Sequence, residues 1–286
     1  VTRRLTTWAA VSAVSTALAI STHAGDAPSA GEVPFQLAGK VMFLKGSING
    51  KGPYQLILDT GATETVITPP VAKALGVRTT AISAAQSKGF VKSLTVGGAS
   101  VTNLGVYVFD PPQALSLRLD TGQDYHGLLG YTFVSRFLTT IDYARGCIRF
   151  DPLPPTKART TSAGTNSIPF EVVEQLVRVP VVVNGAQQCN MLLDTGAAEV
   201  LFFPATARSL GLPAPTAAAP GPTFPRLRSL KLGNAEVQNV RAVVDNQADP
   251  RVSAYFAGIL GYPFLSHFTL TLNYRDRILQ LAPTGK

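Results

Sequence analysis

Apolar positions along the chain fall into short runs, alternating or continuous, bounded by Gly, Pro and Asn; this is the pattern of strands rather than of long helices. Val179 to Val183 and Met191 to Leu193 flank Asn184-Gly185, the strongest short-range hairpin signal, and Asn49-Gly50 sits in the same context in the first half. Val101 to Phe109 and Val237 to Val244 read as further strands. Leu94-Thr95-Val96-Gly97 and Leu230-Lys231-Leu232-Gly233 read as strands ending in turns. Helix is predicted only for Pro70 to Leu75, Tyr131 to Phe137 and their second-half counterparts, so the chain is expected to be all-β.

Two apolar runs end unusually. Leu56-Ile57-Leu58 and Met191-Leu192-Leu193 each stop at an aspartate followed by Thr-Gly-Ala: Asp59-Thr60-Gly61-Ala62 and Asp194-Thr195-Gly196-Ala197. A carboxylate at the end of a core strand is destabilising unless its charge is partnered or used, and two copies suggest that the partner is the other copy. The repeat extends well beyond these motifs. Gly50 and Gly185, Asp59 and Asp194, and Gly76 and Gly211 are all 135 residues apart, whereas Gly127-Leu128-Leu129-Gly130-Tyr131 and Gly258-Ile259-Leu260-Gly261-Tyr262 are 131 apart. Insertions thus fall between strands, where loops tolerate them. The chain reads as a duplication, with a first lobe over 25–150, a linker rich in Pro, Thr and Ser over 151–167, and a second lobe over 168–286.

An apolar-apolar-Asp-Thr-Gly-Ala strand, a Leu-Gly some way on and a later apolar-apolar-Gly sequence resemble the retropepsin-like aspartyl proteases. The resemblance covers residues 35 to 284 in two copies, so both lobes of a pepsin-type arrangement lie in one chain. It implies a bilobal acid-protease fold of two β-barrel lobes that hydrolyses peptide bonds without cofactor or metal. Asp59 and Asp194 would be the two catalytic carboxylates. Thr60 and Thr195 would bond across the lobes, and Gly61 and Gly196 would let the turns approach closely. The strands ending at Gly130 and Gly261 would support them. Peptide hydrolysis by water requires a base and an acid, roles that two adjacent aspartates sharing one proton supply together. In this family a hairpin flap also closes over the substrate. Ser83 to Ser93, with Lys88, Gly89 and Phe90 near its tip, is the first-half candidate; Pro213 to Pro225, dominated by Pro and Ala, is not expected to form a regular hairpin.

A third Asp-Thr-Gly, at Asp120-Thr121-Gly122, lacks the apolar strand before it and the Ala after it, and reads as a surface loop. Ala62 and Ala197 stand where acid-acting pepsin-type enzymes usually carry Ser or Thr. Without a hydroxyl there to lower the carboxylate pKa, activity is expected at weakly acidic to neutral pH.

Composition adds the setting. Arg3 and Arg4 precede an apolar, small-residue run to Ile20, which reads as a signal peptide over 1–24 and predicts a protein exported to the periplasm or beyond. Its removal takes two arginines and no acid, lowering the formal charge from +8 to +6. The remaining cations are scattered singly, so nucleic acid is not an expected partner. Cys147 and Cys189 either pair in the oxidising compartment or face different sheets as separate thiols. His126 and His267 have no metal-ligand spacing around them. The expected product is a monomeric aspartic endopeptidase acting on peptides or proteins. The alternatives are a catalytically silent peptide-binding or scaffolding protein that keeps the fold, and an enzyme whose aspartates meet only in a dimer.

Overall fold

The computed structural model describes residues 31–110, 122–155, 166–219, 221–245 and 250–284. The leader, Asp120 and Thr121 of the third tripeptide, and 156–165 of the linker lie outside the described residues.

The first lobe is built from β1 (Glu32–Ala38), β2 (Val41–Ile48), β3 (Lys51–Leu58), β4 (Val66–Ile67), β5 (Thr79–Ala81), β6 (Ser87–Val96), β7 (Ala99–Val108) and β8 (Gly127–Leu129), with the short helix α1 (Pro69–Leu75) after β4. A one-turn helix, α2 (Tyr131–Val134), then leads to β9 (Phe137–Asp142) and β10 (Cys147–Pro152). The second half repeats this order in outline, with two short strands in place of β1 and, among the described residues, none in the place of β5. It comprises β11 (Asn166–Pro169), β12 (Glu171–Val173), β13 (Leu176–Val183), β14 (Gln187–Leu193), β15 (Val200–Phe202), α3 (Pro204–Ser209), β16 (Arg226–Leu232), β17 (Ala235–Val244), α4 (Pro250–Ser253), β18 (Gly258–Leu260), α5 (Tyr262–Leu265), β19 (Phe268–Asn273) and β20 (Ile278–Pro283).

Each lobe is a rolled sheet. In the first, the order runs β1-β2-β3-β8-β4-β7-β6-β5 and closes by pairing β2 with β6; in the second, β12-β13-β14-β18-β15-β17-β16 closes by pairing β13 with β16. Alternation drives this: β13 places every second side chain inside at Val179, Val181 and Val183, and β6 buries Val91 and then, after a one-residue shift of the alternation, Leu94 and Val96. The Asn-Gly turns take left-handed φ at both positions, 54° and 72° at Asn49-Gly50 and 55° and 73° at Asn184-Gly185, as a two-residue hairpin requires. The asparagine amides do more than turn the chain. Asn49 Oδ1 accepts from Lys92 N–H (2.6 Å) and Asn184 Oδ1 from Arg228 N–H (2.8 Å), stitching each hairpin to the neighbouring strand.

A six-stranded sheet, β11-β20-β19-β9-β10-β1, joins the lobes. Its centre is the β9–β19 pair, where Thr140 and Thr271 share a hydroxyl–hydroxyl bond of 3.1 Å. Tyr131 packs edge-on against Tyr274, and Tyr143 against Tyr262, so each ring of one half is held by a ring of the other. Two expectations need correction. The helix expected over Tyr131 to Phe137 ends at Val134, because Phe137 already belongs to β9 and packs there on Phe133 and Phe150. α4 was not expected at all. Cys147 and Cys189 are free thiols on β10 and β14, strands of different sheets.

Candidate active site

β3 and β14 end side by side at the interface, and each delivers its Asp-Thr-Gly-Ala turn there. Behind each turn runs a parallel partner strand. Leu58 lies opposite Leu129 and Leu193 opposite Leu260. Asp59 N–H donates to Leu129 O (3.1 Å) and Asp194 N–H to Leu260 O (3.2 Å). Tyr131 N–H returns to Ala62 O and Tyr262 N–H to Ala197 O, both at 2.9 Å, so each turn is clamped at both ends. Gly130 and Gly261 pass so close beneath that a Cβ at either would strike backbone, on Glu64 and Ala62 in one lobe and on Glu199 and Ala197 in the other.

The turns are locked to each other through their threonines, each only 1% exposed. Thr60 N–H donates to Thr195 Oγ1 (3.1 Å) and Thr195 N–H to Thr60 Oγ1 (3.0 Å). The hydroxyls in turn donate to opposite-lobe carbonyls, Thr60 to Leu193 O (2.8 Å) and Thr195 to Leu58 O (3.0 Å). All four polar groups are satisfied where an unsatisfied one would be costly.

This lock brings the two carboxyl groups together. Gly61 N–H donates to Asp59 Oδ1 (2.9 Å) and Gly196 N–H to Asp194 Oδ1 (2.7 Å). A Cβ on Gly196 would lie 2.7 Å from Asp59 Cγ, and one on Gly61 would run into the Asp194 carboxylate. Desolvation lifts both carboxyl groups above the ordinary aspartate value of 3.8; Asp59 is raised further by the charge of Asp194 and by their mutual hydrogen bond, against backbone N–H donors that pull the other way. Two such groups hold one proton between them over a range where separate aspartates would be fully ionised.

The carboxyl groups open into a cleft of about 900 Å³ between the lobes. One wall is the apolar outer face of the first lobe, including Val41, Ile57, Val66 and Leu128; the other carries Leu176, Val252 and Phe256. Among the described residues no group of three His, Cys, Asp or Glu side chains is placed to hold a metal ion.

The flap residues lie elsewhere than expected. Lys88, Gly89 and Phe90 are inside strand β6, where Thr80 lies opposite Lys88 and Thr79 opposite Gly89. Gly89 is small because Arg78 O of the approach to β5 would sit 2.6 Å from its Cβ, and Phe90 is 67% exposed on the outer side. The tip is the preceding turn, closed by Ile82 N–H and Ser83 N–H donating to Gln86 O, and it is Gln86 that lines the cleft. Among the described residues the second lobe has no counterpart of β5; in its 213–225 span they form no strand, the one bridge being that between Thr223 and Val244. Gln86 falls within the Ser83 to Ser93 flap candidate, but the cleft residues Glu64, Tyr125, Glu174 and Tyr255 were not foreseen from the sequence. Of these, Glu64 alone left a trace, as it recurs 135 residues on as Glu199.

Comparison with known proteins fits this geometry. The family model described as Aspartyl protease matches twice, over residues 44–133 and 179–264. The chain belongs to the aspartyl protease family. Among solved structures it is similar to the aspartic proteinase of Irpex lacteus, with a TM-score of 0.53 and 12% identity over 89% of this chain and 97% of that one. At that identity the likeness is one of fold: two β-barrel lobes around a shared cleft. No curated protein matches the sequence.

Proposed function

We propose that this aspartyl protease family member is an endopeptidase that hydrolyses peptide bonds with a water molecule activated between Asp59 and Asp194. The observation that carries the reading is the Thr60–Thr195 lock, which holds two carboxyl groups from different lobes against each other at the floor of a cleft. One carboxylate of the pair takes a proton from the water as it attacks the peptide carbonyl, and the proton already held by the pair goes to the carbonyl oxygen; as the resulting diol collapses, the proton taken from the water passes to the leaving nitrogen and a diol hydroxyl returns its proton to the pair. General acid–base assistance of this kind contributes roughly 10²–10⁴-fold to rate. Both aspartates come from one chain, which supports action as a monomer. The Gln86 turn is the element positioned to cover a bound peptide. The basic, apolar run at residues 3–20 is the feature that supports export from the cytoplasm. Among the described residues no helix is long and apolar enough to cross a membrane.

The test is cleavage of a diverse peptide library by the purified protein from acid to neutral pH, beside the Asp59→Asn and Asp194→Asn variants. The expected result is cutting by the parent and loss of at least about a thousandfold in either variant, since residues that act as a unit fail as a unit. A folded parent inert at every pH overturns the reading in favour of a peptide-binding role.

A further inference from the structure

Besides the β5–β6 turn, the pseudo-symmetry of the two lobes is broken at one pair of charged positions. We infer that the break makes Glu64 a specificity residue that selects lysine or arginine in the substrate, an inference that rests on the peptide-cleft reading above. Lys40, in the turn between β1 and β2 with φ of 67°, reaches across the lobes to Glu199 at 2.5 Å. Applying the 135-residue offset of the repeat, Lys40 becomes Gln175 and Glu199 becomes Glu64. Gln175 occupies the same left-handed position, φ 66°, in the turn between β12 and β13. Its amide carries no charge, so the second ion pair is not formed. Glu64 is half-buried and, among the described residues, has no ion-pair partner. Burial pushes its carboxyl above the ordinary glutamate value, in keeping with a charge that lacks compensation.

Glu64 and Gln175 both line the cleft, whereas Lys40 and Glu199 do not. The described cleft residues include four carboxylates, Asp59, Glu64, Glu174 and Asp194, and no Lys, Arg or His, in a chain whose formal charge is +8. The wall beside Glu64 is apolar, formed by Val41, Ile57, Val66 and Leu128. A long side chain with an aliphatic stem and a cationic head suits both features. The stem packs on the wall, and the head gives Glu64 the charge-assisted hydrogen bond that Lys40 gives Glu199. A substrate cation therefore takes the place that the second half of the duplication leaves vacant.

Two variants test this independently. Glu64→Gln removes the charge with little change of shape. Gln175→Lys keeps Glu64 but, by the symmetry of the repeat, supplies it with an internal ammonium. Peptides carrying Lys, Arg, norleucine or Glu at each position in turn are compared by kcat/KM. Reduced-amide versions, which cannot be cut, are compared by calorimetry. At one position the parent is expected to favour Lys and Arg over norleucine about tenfold, and each variant to bring the ratio close to one. If the parent shows no basic preference, or if neither folded variant diminishes it, the inference is overturned. If the parent cuts nothing yet binds the basic peptide more tightly in a manner that depends on Glu64, the subsite stands and the endopeptidase reading falls. If binding does not discriminate either, the subsite falls as well.

Discussion

Thr60 and Thr195 are each other's hydrogen-bond acceptor: each backbone N–H donates to the other's hydroxyl across the lobe boundary, at 3.1 and 3.0 Å. Replacing either hydroxyl by a methyl removes the partner of a buried N–H and of a carbonyl on the opposite lobe, Thr195 N–H and Leu193 O in the case of Thr60→Val. Each stranded group costs roughly 1–3 kcal/mol. Thr60→Val and Thr195→Val are each expected to lower stability by about 3 kcal/mol in chemical unfolding. The double variant should lose less than the sum, because the first substitution already loosens the contact that the second would break.

The glycines around the site separate space for chemistry from space for folding. None of the four has a left-handed φ, so a methyl meets only a steric test. Gly61→Ala and Gly196→Ala aim it at the opposite carboxylate, while Gly130→Ala aims it at the Glu64 and Ala62 backbone. The first two variants are expected to fold yet lose activity. Gly130→Ala should instead lower the melting temperature, through about 1–3 kcal/mol of overpacking. Thermal unfolding measured beside peptide cleavage distinguishes the two classes.

Raised carboxyl pKa values also set a direction for stability against pH. Below the ordinary aspartate value of 3.8 both folded and unfolded chains hold the protons of Asp59 and Asp194. Above it the unfolded chain releases them first, so the folded state binds more protons and its stability falls as pH rises through the elevated range. Asp59→Asn removes one titrating group and the charge that faces Asp194. Its melting temperature is expected to rise relative to the parent as pH goes from 4 to 8, by about 2–4 °C for each kcal/mol relieved. A gap that stays constant with pH would show that the pair is not coupled.

How much of this was legible in the sequence depended on whether the signal was local. Asp59 and Asp194 stood out because a charge at the end of an apolar strand is anomalous and because it occurred twice in register. The Asn-Gly hairpins were equally plain, since few residues tolerate two consecutive positive φ angles. The flap tip was misplaced for a physical reason. Gly89 looked like a turn residue but serves to let the Arg78 carbonyl approach β6, while the true turn at Ser83-Ala84-Ala85-Gln86 contains no Gly, Pro or Asn. The interlobe sheet was beyond reach, because β1 beside β10 and β9 beside β19 are pairings between distant segments with no local signature. The asymmetry of Lys40 and Gln175 was written in the 135-residue offset, but only the fold shows that Lys40 reaches the opposite lobe's Glu199 and that Gln175 and Glu64 line one cleft.

The last prediction concerns working pH. The carboxyl oxygens of Asp59 and Asp194 receive the backbone N–H groups of Gly61 and Gly196, and the next residue on each side is Ala62 or Ala197, which has no hydroxyl to add. A serine in that place would bring one more donor to the ionised form and favour it. The parent is therefore expected to work best at weakly acidic to neutral pH, and the Ala62→Ser, Ala197→Ser double variant to shift the acidic limb of its kcat/KM profile downward by about one unit, the order of a single charge-assisted hydrogen bond. Both alanines are held by their own carbonyls, Ala62 O and Ala197 O each accepting at 2.9 Å, and this backbone clamp does not depend on the side chain. A parent profile that peaks only in strong acid would mean that backbone donors alone hold the pair ionised, and the alanines would then have no part in setting the pH range.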